Sequence, residues 1–216
     1  RRDLRGQGAS VAYIIIREIR YGLVAPKFIN VLADKYEKYI LAENLRHDLL
    51  NFFKDRIVYF LKSKNIRYDV IDSIIHTSLR NLSVVKLKLD AINKFLTSDY
   101  KSSYLEMTKR IENIIKNKNI PDQIQFETLE TDWEKNLYNT LPKVKKNVLK
   151  EISNHNYFSI FSEILSVKEH VNFMFDNLLI ISENKINTLN RLYLLNAVLQ
   201  LSNYFFNSTK LIDENK

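Results

Sequence analysis

Five cations crowd one short stretch of this 216-residue chain: Lys54, Arg56, Lys62, Lys64 and Arg67, with Tyr59 and Tyr68 set among them. Cations hold phosphates, and flat aromatic or guanidinium faces stack on unpaired bases, so this mixture suits an RNA partner. A solvated basic face would carry the same residue types. Farther along, Lys109, Arg110 and Asn113 fall close together. On a helix Lys109 and Asn113 stand at i and i+4 on one face, while Ile111, Ile114 and Ile115 cover the other. A basic residue beside an amide fits phosphate and base-edge contacts. Packing between helices would use the same pattern, with Asn113 bridging to a neighbour.

No catalytic set is legible. Gly6, Gly8 and Gly22 are the only glycines, so no glycine-rich loop can cradle a nucleotide. His47, His76, His155 and His170 never form a His-x-x-x-His pair. His47-Asp48 is an adjacent pair, but no second motif supplies the further ligands that a metal-dependent phosphohydrolase needs. Asp69 with Asp72, and Glu127 with Glu130, read as helix caps and solvated acids. The expectation is no catalytic residue and no metal site.

Helices must position these side chains. Phe53, Ile57, Phe60 and Leu61 recur at i, i+4, i+7 and i+8, one face of a 3.6-residue period. Asn65 suits a helix end, and Asp69 suits the N-cap of the next helix. The absence of glycine after Gly22 leaves no residue for tight hairpin turns, which argues for an all-α fold. The pattern predicts helices over 9–19, 27–39, 41–64, 68–77, 83–97 and 100–116, then a loop over 117–131 containing Pro121. It continues with helices over 133–139 and 144–153, separated by Pro142, which disfavours helix at Leu141. Helices over 157–177 and 185–207 complete a bundle of about eight to ten helices. One candidate boundary lies near 22–26. Tyr157, Phe158, Phe161, Phe173, Phe175, Tyr193, Tyr204, Phe205 and Phe206 read as core in preference to a stacking platform, and Phe175 and Leu178 are expected to be buried against Leu192 and Leu195.

The net charge of +8 is unevenly placed. Residues 46–120 carry fifteen Lys/Arg against eight Asp/Glu, whereas residues 121–170 carry six against eight. The excess sits in the middle of the chain, the footprint expected for a phosphate-bearing partner. The absence of cysteine excludes disulfides and thiolate metal sites and fits a reducing compartment. The longest apolar runs, such as 11–16, are far below the ~20 residues of a membrane helix. A chain that opens on Arg1-Arg2 without a signal peptide reads as part of something longer.

The stretch FFKDRIVYFLKSKNIRYDVIDSII carries more specific information than its charges. It resembles the C-terminal part of the beta subunit of bacterial glycyl-tRNA synthetase, through Phe52 or Phe53, Asp55, Arg56, Tyr68, Asp69, Val70, Ile71 and Asp72. Two further blocks resemble that family in the same order: MTKRIENIIKN at 107–117, and VNFMFDNLLIISENKINTLNRLYLLNAVLQL at 171–201. Residues 4–18 are a looser match, with Gly6 and Ser10 where the family has arginine and glycine.

The resemblance implies a helical anticodon-binding domain at 41–216, of the type shared with arginyl-tRNA synthetases, preceded at 1–40 by the end of another helical domain. It implies that the chain holds the anticodon arm of glycine tRNA. A separate alpha subunit would use ATP, with magnesium, and glycine to charge the tRNA, in a cytoplasmic enzyme of two alpha and two beta chains. The candidate tRNA-binding residues are Arg56, Lys64, Arg67, Tyr68, Lys109, Arg110 and Asn113. Arg56 has an alternative role, pairing with a carboxylate inside the bundle. The "N-R-L" block places Asn190, Arg191 and Leu192, and pairs Arg191 with Asp176 across two C-terminal helices. The alternative to this reading is a non-enzymatic helical scaffold or regulatory domain that binds another protein.

Overall fold

Apolar side chains four residues apart set the first described helix, α1 (Ala42–Ser63), which buries Ile57 and Leu61 and leaves Asp55, Arg56 and Tyr59 in solvent. The computed structural model describes residues 42–78 and 84–211. The helices expected over 9–19 and 27–39, the boundary near 22–26 and the 4–18 block lie outside them, as do the side chains of His47, Phe53 and His76.

Helix α1 stops where Asn65 takes a left-handed φ of 57°. The Asn65 amide donates to the Lys62 carbonyl at 3.0 Å and the Ile66 amide to the Leu61 carbonyl at 3.3 Å. This paired return closes the helix end, and asparagine tolerates it better than most residues. Helix α2 (Tyr68–Ser78) follows after four residues, packs on α1 and buries Val70, Ile71, Ile74 and Ile75. Asp69 is not the N-cap expected of it. It lies inside the first turn, where a carboxylate favours the helix dipole, and it is buried.

Helix α3 (Val85–Leu96) carries the division of the chain into two compact units, 1–90 and 91–216. In the first unit Lys88 is buried, and its Nζ donates to the Thr77 hydroxyl at 2.9 Å and carbonyl at 3.2 Å. Burial disfavours the ammonium and lowers its pKa to about 8.

The second unit packs α4 (Tyr100–Ile115) against α8 (Lys185–Asn203), with α5 (Asp132–Ser153) lying on α6 (Ser159–Leu165), α7 (Lys168–Asn177) and α8. At its centre Phe95 stacks on Phe161 at 3.9 Å, and Tyr104 meets both rings edge-on at 5.3 and 5.2 Å. Phe205 and Phe206 follow α8 and complete the cluster, fully buried. Burial raises the Tyr104 phenol pKa; the nearby Ser202 and Ser208 hydroxyls offset part of that rise. No strand occurs among the described residues, as the glycine pattern implies.

Three expectations fail here. Pro142 does not divide a helix: α5 runs through it. The buried stripe Leu137, Leu141, Val144 and Val148 is continuous across the proline, and Pro142 sits on the wet side. Burial of four apolar residues outweighs a proline penalty of about 3 kcal/mol. A capping box fixes the start of the same helix, with Thr131 and Glu134 exchanging backbone and side-chain bonds. The helix expected over 157–177 is two, α6 and α7, broken at Ser166 and the buried Val167. Helix α8 stops at Asn203, short of the expected 207, because Phe205 and Phe206 turn inward.

Candidate nucleic-acid interface

Of the seven candidate residues, four belong to the first unit and three to the second. In the first unit the turn after α1 collects Lys64, Arg67 and Tyr68. Arg67 grips Asp69 with two parallel bonds, Nε to Oδ1 at 3.0 Å and Nη2 to Oδ2 at 2.7 Å. Both carboxylate oxygens therefore orient the guanidinium plane, and a third of the arginine side chain stays open to solvent. The first-turn position of Asp69 makes this fork possible, because it is two residues from Arg67. Tyr68 is 65% exposed, with the Lys62 ammonium 5.5 Å from its ring centroid. Lys64 lies 5.8 Å from the Phe60 ring. An oriented guanidinium, an exposed phenol and two ammonium groups at one turn suit a phosphate next to an unpaired base. Arg56 is exposed on α1.

In the second unit Lys109, Arg110 and Asn113 line one groove of about 530 Å3, between α4 and residues 208–211. Glu106 and Glu112 share that groove. Two carboxylates beside two cations leave little net pull on a phosphate. Arg110 is also engaged elsewhere: its guanidinium pairs with Asp176 at 3.0 Å and lies 4.5 Å above the Phe175 ring. Lys109 and Asn113 remain exposed at the groove.

That pair overturns two expectations. Asp176 belongs to Arg110, not Arg191. Phe175 is half-buried under a cation and does not lie deep against Leu192 and Leu195; Leu178 is likewise half-buried. The residue that satisfies Arg191 is Glu134, whose carboxylate accepts from Arg191 Nε at 2.9 Å. Arg191 Nη1 donates to the Leu179 carbonyl at 2.8 Å, and Nη2 pairs with Glu130. Beside it, the Asn190 amide donates to the Thr128 carbonyl at 2.9 Å. The Asn190-Arg191 motif thus fastens the end of the 117–131 loop onto α8. Most of the aromatic list is core or half-buried, but Tyr204 is 42% exposed.

One basic run is invisible in the regional charge balance. Lys143, Lys145, Lys146 and Lys150 all stand exposed on the second half of α5, and none makes an ion pair with a described residue. Averaging over 121–170 hid them behind acidic residues such as Glu130 and Glu134, which the Arg191 site uses. The signal that finds them is the local run KVKKNVLK.

Comparison with known proteins places this geometry. Residues 104–210 match the model of the DALR anticodon binding domain. The chain is 28% identical over 182 residues to the glycine–tRNA ligase beta subunit of Rickettsia prowazekii (strain Madrid E), covering 84% of this chain and 27% of that protein. It is 24% identical over 186 residues to the beta subunit of Neisseria meningitidis serogroup C (strain 053442) and 25% identical over 178 residues to that of Persephonella marina. These matches cover 86% and 82% of this chain, and 27% and 25% of the relatives. The chain thus spans about a quarter of the length of the curated relatives it matches. The all-α bundle is of the anticodon-binding type, and the chain resembles the C-terminal region of these beta subunits. No helix among the described residues is long and apolar enough to cross a membrane.

Proposed function

We propose that this chain, built like the C-terminal region of a glycine–tRNA ligase beta subunit, is a tRNA-binding module that holds the anticodon arm of glycine tRNA. The observation that carries the reading is the coincidence of the anticodon-binding match over 104–210 with a helical unit that presents exposed cations on two of its helices. The turn at Lys64, Arg67 and Tyr68 adds an oriented guanidinium and an open ring in the other unit. Phosphate contacts position an RNA, and unpaired loop bases on flat side chains are read.

In this reading the chain performs no bond chemistry. Activation of glycine with ATP and magnesium, and ligation to the tRNA, belong to an alpha subunit in a cytoplasmic assembly of two alpha and two beta chains. Domain limits at 1–40 and 41–216 are part of the same proposal. A second reading, a protein-binding scaffold, draws on Leu179, Ile181 and Ile186, each exposed before or at the start of α8. Assembly with an alpha subunit would use such a surface as readily as a scaffold would.

The test is direct binding of a fluorescent stem-loop RNA with a glycine anticodon, measured against salt concentration. The expected result is binding that weakens steeply with salt and exceeds that of the same stem carrying an unrelated anticodon. Equal binding of both loops, or none of either, overturns the anticodon reading.

A further inference from the structure

A second groove, open to solvent, lies between α5 and α8 and measures about 370 Å3. Tyr138, Pro142, Lys145, Tyr193 and Tyr204 are among the residues that line it. The Lys145 ammonium is 5.7 Å from the Tyr204 ring centroid. On α5 the lining positions Tyr138, Leu141, Pro142 and Lys145 follow at i, i+3, i+4 and i+7, so they form one stripe. The proline matters to this face, because it withholds the amide that would bond the Tyr138 carbonyl. No described residue hydrogen-bonds the hydroxyl of Tyr138, Tyr193 or Tyr204.

We propose that this groove is a nucleobase subsite, in which one unpaired base of a bound RNA stacks on Tyr204 while Lys143, Lys145, Lys146 and Lys150 hold the flanking phosphates. The proposal rests on the RNA-binding reading above and gives it a location that the resemblance does not. Three features choose a nucleotide over a protein segment. Three phenol rings line one groove, and an aromatic face accepts any base. The volume lies at the small end of ligand sites, roughly 300–1,000 Å3, which suits one flat group and not a helix. Four lysines within eight residues, none paired with a described carboxylate, supply the charge that a phosphate chain requires. Gln200, also in the lining, offers an amide to a base edge, although Asn196 and Asn203 share it.

The experiment uses the full chain and the glycine-anticodon stem-loop, intact and with each loop base in turn replaced by an abasic residue. Tyr204→Leu, with its fold checked by circular dichroism, should weaken binding of the intact loop about 5- to 100-fold, the effect of one lost stacked base. Tyr204→Phe should bind as the unsubstituted chain does, since the face is what matters. For one abasic loop, Tyr204→Leu and the unsubstituted chain should bind alike. Lys146→Gln and Lys150→Gln should each lower the log–log salt slope by about 0.7–0.9. If the unsubstituted chain binds the loop and Tyr204→Leu binds it equally well, the subsite is refuted and the RNA reading survives. If the unsubstituted chain does not bind the loop, both fall. If an alpha subunit added without RNA protects 138–145 and 193–204 from hydrogen exchange while RNA does not, the groove is a protein-docking surface and the proposal is wrong.

Discussion

Glu134 serves Arg191 and the start of its own helix with one carboxylate. Its Oε1 accepts from Arg191 Nε, and its Oε2 accepts from the Thr131 amide at 2.7 Å and hydroxyl at 3.0 Å. Both ionic side chains are almost wholly buried, so neither has water to replace the other. Removing one partner from such a pair leaves a desolvated charge. Arg191→Met and Glu134→Gln are each expected to lower stability by about 3–5 kcal/mol in a urea melt. The exposed pair Arg110–Asp176 is the contrast: Asp176→Asn should change stability by less than about 1 kcal/mol. Equal losses from the two pairs would contradict the burial difference.

Aromatic residues of the same helical region should respond unequally. Phe161→Ala empties the centre of the cluster and should cost about 3–5 kcal/mol. Phe175→Ala removes a half-buried ring under Arg110 and should cost about 1 kcal/mol, mostly a cation–π contact and partial burial. Denaturant midpoints at unchanged m-value measure both. A Phe175→Ala loss as large as that of Phe161→Ala would return Phe175 to the core.

Pro142→Ala tests why the proline is tolerated. Alanine restores an amide inside a continuous helix on its wet side, so the variant should be more stable by about 1–3 kcal/mol. A thermal melt with a raised midpoint checks this, and a lowered one would mean that the ring packs better than its exposure suggests.

Lys88 gives stability a pH dependence of known sign. Its folded pKa of about 8 lies below the ordinary lysine value of 10.5, so between those values the unfolded chain binds more protons. Stability therefore rises with pH from about 8 upward, by no more than about 1.4 kcal/mol per pH unit for one proton. Tyr104 and Tyr157 act oppositely: burial raises their pKa values, so their contribution is full below pH 10 and is lost above it. The expected profile climbs between pH 8 and 10 and then turns down. In Lys88→Met the climb should vanish while the downturn stays, as read from urea midpoints.

For RNA binding, Arg67→Glu and Lys109→Glu should each weaken stem-loop affinity, and each should flatten the salt slope by about one unit or less. Tyr68→Ala should cost about 1–3 kcal/mol if a base stacks there. Charge reversal at Asp132 or Glu163 should weaken nothing. Unchanged affinity in all of the first three would move the RNA away from both candidate clusters.

Local pattern made much of this legible in the sequence. The period-3.6 runs place α1, α2, α3 and α4 within two residues of their observed ends, and Asn65 takes the left-handed turn that its type suits. What escaped depended on long-range partners. Arg191 has three acceptors from the 130–134 and 179 regions, and no spacing rule reaches Glu134 across 57 residues. Pro142 reads as a breaker because the proline rule is weighed above the apolar stripe Leu137, Leu141, Val144 and Val148 that crosses it. The site divides likewise: Arg67 and Tyr68 are visible as a basic, aromatic turn, whereas the Tyr138, Tyr193 and Tyr204 groove exists only once α5 lies on α8.

The inward turn of Phe205 and Phe206 has a consequence for the making of the protein. They close a cluster opened by Phe95 and Tyr104, about a hundred residues earlier in synthesis. A nascent chain that has not yet released Phe206 from the ribosome lacks the rings that close this cluster. Such distant closure slows folding and exposes apolar surface meanwhile. Ribosome-bound chains arrested before Phe205 should be cut readily by protease within 91–204, and chains arrested some forty residues beyond Leu211, on an added linker, should resist.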